Sequence, residues 1–571
     1  MTVCRASLAA TVAFAAMAAL QSSAAAQSLP RSGPIILFPQ APSTPAAGVA
    51  PSVAVESVDD RFPEAVGPLE PSDGGFGLDV WRGAERAGLL EQIRALPPAG
   101  PASFVLRDLM HRLLLTNARP PDGSAGSPPP SEGGLLLVRG ETLEAAGDLQ
   151  GTAQLLSIAP SGALAVEPVA RLAVETRLLL GQDDRACDQV SAGLANFQTT
   201  FWTRAAIVCD LIRGDRSAAM VGLDLQRELD PTFGQSPFSG VAEAAAGFRD
   251  LPEQVTLDPL TLPLLRLLRQ PPSGPAVAAA GLPEKVAVLA DESLTWSGRL
   301  DLAEELARQR VVDGRALAAA YQEATFAPAD LVAPLRANLP PASRRALLFN
   351  SFAANPGAGE SLSLLGELAA SARAEGLEVP LAQAVAGQID GLAAPPPSMR
   401  PGAALVARLL LLADRYEQAN LWIAAALQDG SRGGRQAALS IWPLARIAGL
   451  ANRYGLTDPL AWASQARAAG LQPAAVDRTA DRLTAILAVL EPAGSVAGLR
   501  PAQPPAGRLA TLVIQGRLGE ALLAIFDSAG RVAPQDLPTG VLADSLDALV
   551  RLGLRDQAQA LAMEAMAPLQ F

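Results

Sequence analysis

Lysine and histidine are nearly absent from this 571-residue chain: Lys285 is the only lysine and His111 the only histidine. A lone histidine cannot furnish the usual zinc site without cysteine or carboxylate help, and it excludes an HExxH metalloprotease helix within the chain. Lys285 follows Pro283-Glu284, so there is no phosphate-binding loop ending in Gly-Lys. The residue three before it is Leu282, so a Ser-x-x-Lys hydrolase motif fails as well. No Gly-x-Ser-x-Gly elbow is present.

Aromatic residues make up only 4% of the chain, against 49% hydrophobic residues of all kinds, so the core must be built mainly from Ala, Leu and Val. Such side chains let helices approach closely and suit stacked helices better than a sandwich rich in β-branched and aromatic residues. Positive charge is short too: 45 Lys and Arg stand against 57 Asp and Glu, a net charge of −12. An acidic chain without a long basic run is a poor partner for nucleic acid or for an anionic membrane surface, and it selects basic partners.

What is present begins at the N-terminus. Arg5, an apolar run from Leu8 to Leu20, and Ala24-Ala25-Ala26 before Gln27 form the pattern of a secretory signal peptide over 1–26, with an uncleaved anchor as the other reading. Cys4 lies before the apolar run, where a lipoprotein cysteine does not sit. The signal predicts a periplasmic or secreted protein with no membrane span after processing. Residues 27–75 are rich in Pro, Ala and Ser without helical period, and are expected to form a disordered arm. Within it, Ile35-Ile36-Leu37-Phe38 is bracketed by prolines. It either docks in a groove or as an added strand, or packs back on its own domain. Helical periodicity starts at Phe76. It divides at Pro- and Gly-rich breaks into a helical pair at 76–118 and blocks at 135–270, 276–392 and 402–571.

A turn recurs along these blocks: an apolar helix end, Gly, four residues, then Ala. Gly181 pairs with Ala186, Gly214 with Ala219, Gly298 with Ala303, Gly516 with Ala521 and Gly553 with Ala558. Asp414 with Ala419 keeps the spacing, and Gly147 with Ala153 is off by one. A turn between antiparallel helices needs a residue that accepts the left-handed conformation, cheapest for Gly, and the Ala one helical turn later fits where two helices cross. Hairpins of this size cannot bury an apolar face alone and must stack. The spacing therefore predicts an all-α fold, an α-solenoid of stacked antiparallel hairpins.

With Gly214-Asp215, Ala219 and the closing Leu229-Asp230-Pro231, the sequence resembles the tetratricopeptide-repeat (TPR) family. The resemblance covers 135–250 and 404–571 and implies right-handed stacked hairpins whose groove binds peptides or proteins. The family's tryptophan and tyrosine positions in the first helix are mostly missing, and the spacing after Pro231 is irregular, so no groove residues carry across.

Cys187 and Cys209 lie equally far from a predicted turn at 196–199. This places them at one height on antiparallel helices and predicts a disulfide in an oxidising compartment. His111 is expected as a surface or helix-packing residue, the carboxylates Glu304-Glu305 on a solvated helix face, and Trp422 and Trp442 as core fillers or a contact surface. No metal or cofactor is expected. The sequence points to a non-catalytic interaction scaffold of the bacterial cell envelope, with envelope proteins or peptides as partners and an unknown oligomeric state. The alternatives are an enzyme or accessory factor acting on cell-wall glycan, and a self-assembling structural protein.

Overall fold

Helix follows helix without a strand among the described residues, which in this computed structural model are 64–124, 134–357, 359–392, 395–491 and 507–568. All of them belong to one body that spans 57–571. The signal segment, the Ile35–Phe38 tetrapeptide and most of the arm lie outside the described residues. Successive helices pack against one another in the manner of a helical-repeat solenoid, and none is long and apolar enough to cross a membrane.

Three hairpins open the array: Gly134–Ala145 with Leu149–Ser157, Glu167–Leu179 with Asp183–Asn196, and Thr200–Ile212 with Arg216–Leu229. Their turn residues Gly147, Gly181 and Gly214 have φ of 81°, 69° and 79°. Each turn is closed by the same pair of bonds. The Gly147 amide donates to the Glu144 carbonyl and the next amide, of Asp148, to Leu143, at 2.7 and 2.8 Å. Gly181-Gln182 and Gly214-Asp215 repeat this pattern. Such crossed bonds satisfy the last carbonyls of a helix and require the left-handed residue. Asp148 and Asp215 then cap the second helix, accepting from Gly151 and Ala218. Five residues beyond the turns, Thr152, Ala186 and Ala219 are fully buried. Thr152, not Ala153, holds that place in the first hairpin.

The turn recurs at Gly516 and Gly553, with Ala521 and Ala558 buried beyond them, and at Asp414 (φ 57°) before buried Ala419. Gly298 is a correction. It lies in the first turn of the helix Trp296–Arg308, its amide bonded to the capping hydroxyl of Thr295, and the turn of that hairpin is Arg310 at φ 63°. Thr295 starts the helix too early for Gly298 to end one. A further turn, Gly376 (φ 71°) between Ser361–Ala374 and Glu378–Asp390, escapes the Gly-to-Ala pattern because Leu381 occupies the small-residue place.

After the third hairpin the chain returns. The helices Thr261–Leu268 and Leu282–Leu289 lie across the first helices of the three hairpins. Leu262, Leu264 and Leu265 are buried there, and Arg266 donates to the carbonyls of Leu178 and Leu179 at 2.7 and 2.8 Å. The first helices of the three hairpins are therefore covered by the chain's own returning helices.

The two ends of the body also meet. The helix Phe104–Leu115 buries Leu106, Leu109, Met110, Leu113, Leu114 and Leu115, more than one stripe, and so needs partners on more than one side. It packs on Gly134–Ala145, on Leu518–Ala529 and on the last helix, Arg555–Met566. The amide of Ala102 bonds to Gly530, and that of Gly519 to Val80. Residues 64–75, expected as part of the arm, pack into this region instead. The buried guanidinium of Arg139 donates to the carbonyls of Glu64 and Val66, as well as to Leu114 and Thr116. Glu64 itself pairs with Arg86. A buried cation without a carboxylate partner needs such carbonyls, and the chain at 64–66 supplies them.

Candidate functional site

The phenylalanine, aspartate and histidine of the helix Phe104–Leu115 fall at positions i, i+4 and i+7. Phe104, Asp108 and His111 therefore line one face of it. That face borders two adjoining cavities of about 460 and 250 Å³, which share Phe104 and Asp108. Hairpin turns from distant parts of the sequence form the other walls: Gly147-Asp148, Arg310 to Asp313, and Asp414 to Tyr416. The helix Arg555–Met566 adds Asp556 and Glu564.

The smaller cavity holds the lone histidine. His111 Nδ1 lies 2.5 Å from Asp148 Oδ2, and this bond to the carboxylate raises the imidazole above its ordinary pKa. Arg310 lies over the ring of Phe104, 5.2 Å from its centroid. Among the described residues, the titratable lining of the larger cavity consists of acidic groups and a tyrosine. Glu564 accepts from Ser103 Oγ at 2.6 Å and from the Val105 amide at 3.1 Å, closing the N-terminus of the helix Phe104–Leu115. Burial still pushes its carboxyl up to about 6, against the pull of these bonds and of Arg310. Tyr416 donates to Asp414 at 2.7 Å, and burial raises its phenol. Asp556 is exposed and makes no ion pair among the described residues.

A second group of carboxylates sits where the returning helices meet the first hairpins. Burial pushes Glu144 up to about 8, reinforced by the charge of Glu175, while Thr176 donates to it at 3.1 Å. Glu175 and Glu284 are raised for the same reason, burial first; Arg171 bonds Glu175 at 2.9 Å. Among the described residues no group of His, Cys, Asp and Glu is arranged to hold a metal ion.

Cys187 and Cys209 form a disulfide between Asp183–Asn196 and Thr200–Ile212, with Cα atoms 5.4 Å apart. Trp422 and Trp442 are core residues, and Trp442 stacks on Trp462. Glu304 is not solvated: it is buried and pairs bidentately with Arg345, while Tyr321 donates to it at 2.9 Å. Glu305, by contrast, meets Lys285 at 2.7 Å. The groove itself escaped sequence reasoning. The only local signal was the i, i+4, i+7 spacing of Phe104, Asp108 and His111, because the facing residues come from five other stretches of chain. Compared with known protein families, curated proteins and solved structures, the chain matches none.

Proposed function

We propose that the chain is a non-catalytic interaction scaffold exported to the bacterial cell envelope, a TPR-like α-solenoid that follows a signal peptide at 1–26. The observation that supports it best is the hairpin turn repeated with one hydrogen-bond pattern from Gly147 to Gly553. Repeated hairpins present long, rigid edges suited to binding other proteins. The first-helix face is covered, so the open groove beside Phe104–Leu115 is the surface offered to partners. The Cys187–Cys209 disulfide suits an oxidising compartment, periplasmic or secreted. The decisive experiment crosslinks living cells, purifies the protein from the envelope fraction and identifies what accompanies it. A reproducible set of envelope proteins supports the scaffold; recovery at monomer mass alone opposes it. Edman sequencing of the same sample should start at Gln27.

One observation favours a second reading, an enzyme acting on cell-wall glycan. Burial pushes the Glu144 carboxyl up to about 8, reinforced by the charge of Glu175, and a raised carboxyl with a second carboxylate near it is the pairing a general acid uses. Release of soluble fragments from purified peptidoglycan, abolished by Glu144→Gln, would establish it.

A further inference from the structure

We propose that the larger cavity beside the helix Phe104–Leu115 receives an arginine or lysine side chain from an extended segment of a partner protein. The inference rests on the scaffold reading and names the chemistry of its partner. Three features of the cavity support it. Of its carboxylates, Asp108 pairs with Arg112 and Glu564 faces Arg310, whereas Asp414 and Asp556 have no ion pair among the described residues, so an approaching positive charge meets the acidic potential of these two. Its remaining walls include Val105, Val379, Leu412 and Met563, apolar surface suited to the methylene stem of such a side chain. Its volume of about 460 Å³ exceeds one side chain and leaves room for the neighbouring backbone, to which Gln383, Gln557 and Gln559 offer hydrogen bonds. The smaller cavity continues the groove but is balanced by Arg107 and Arg310, so the basic side chain belongs in the larger one.

The test uses the full-length protein and a fluorescein-labelled pentapeptide of sequence SRARS, followed by fluorescence anisotropy at low ionic strength. A peptide with citrulline at both arginines removes charge while keeping shape. The groove is altered by D414N together with D556N, both at its rim. An equal change of charge on the outer helix Arg216–Leu229, D224N together with E228N, controls for attraction to an acidic protein in general. We expect the wild-type protein to prefer the arginine peptide by about tenfold, the groove variant to lose most of that preference, and the outer variant to keep it. No preference, or an equal loss in both variants, overturns the proposal. The scaffold reading fails separately. If crosslinking captures the same envelope proteins with D414N/D556N as with the wild type, the scaffold stands and the groove proposal falls. If the peptides discriminate as expected but cells yield no partner, the cation site stands and the scaffold falls.

Discussion

The three-hairpin array at 134–229 and the hairpins at 296–427 share one turn geometry but fill it differently. In the array every turn residue is glycine, and the cross-helix tie is covalent, Cys187 to Cys209. In the later hairpins the left-handed position holds Arg310 and Asp414 as well as Gly376. The ties there are buried ion pairs, Glu304 with Arg345 and Glu378 with Arg408, the latter also bonded to the carbonyl of Ala567. A non-glycine residue in that conformation costs on the order of 1–2 kcal/mol, less for Asp. Arg310 and Asp414 both line the groove. The comparison teaches that glycine serves at most of these turns, Gly147 on the groove wall included, and that the two turns with a charged residue in the left-handed position, Arg310 and Asp414, both line the groove.

The largest expected effect falls on the ionic side of the comparison. Arg345→Met strands the carboxylate of Glu304, whose side chain is only 1% exposed, and should cost about 3–5 kcal/mol in urea unfolding. Adding Glu304→Leu should recover most of it; if the double variant is no better than the single, the ion pair is not what holds these helices. On the covalent side, replacing Cys187 and Cys209 together by Ala should cost roughly 3 kcal/mol. Reductant should lower the stability of the wild type but not of this variant. A wild type indifferent to reductant would mean the disulfide adds nothing to the array.

Two smaller effects sharpen the contrast. Gly214 has a positive φ and open space around its Cβ position, so Gly214→Ala should cost about 1 kcal/mol from backbone conformation alone. The pH dependence of stability tests the carboxylates under the returning helices. Glu144 has its folded pKa raised from an ordinary value near 4.5 to about 8. Its contribution is therefore fully present below the unfolded pKa, declines as pH rises between these two values, and is gone above the upper one. The melting temperature of the wild type should fall across that interval, and Glu144→Gln should flatten the fall. A parallel fall in both would place the titration elsewhere.

The same contrast explains what could be read from the sequence. The array turns were legible because Gly181 to Ala186 and Gly214 to Ala219 encode backbone conformation and helix crossing locally. The disulfide was legible because it joins two helices that follow one another across a short turn. Gly298 misled because a glycine near a helix start looks like one near a helix end until Thr295 is recognised as the cap. Arg310 was missed because nothing local marks an arginine as left-handed. Glu304 looked like a solvated carboxylate because Arg345 lies 41 residues away. The groove depends on contacts between residues as far apart as Ser103 and Glu564, which no periodicity records.

The most direct test of the account compares Gly214→Ala with Asp414→Gly in stability and in binding of the arginine peptide. Gly214→Ala should lose about 1 kcal/mol of stability and leave binding unchanged. Asp414→Gly should hold its stability within about 0.5 kcal/mol, because glycine suits the turn, and should bind the peptide several-fold more weakly. If Asp414→Gly binds as the wild type does, the aspartate is only a tolerated turn residue and the groove loses its assigned role.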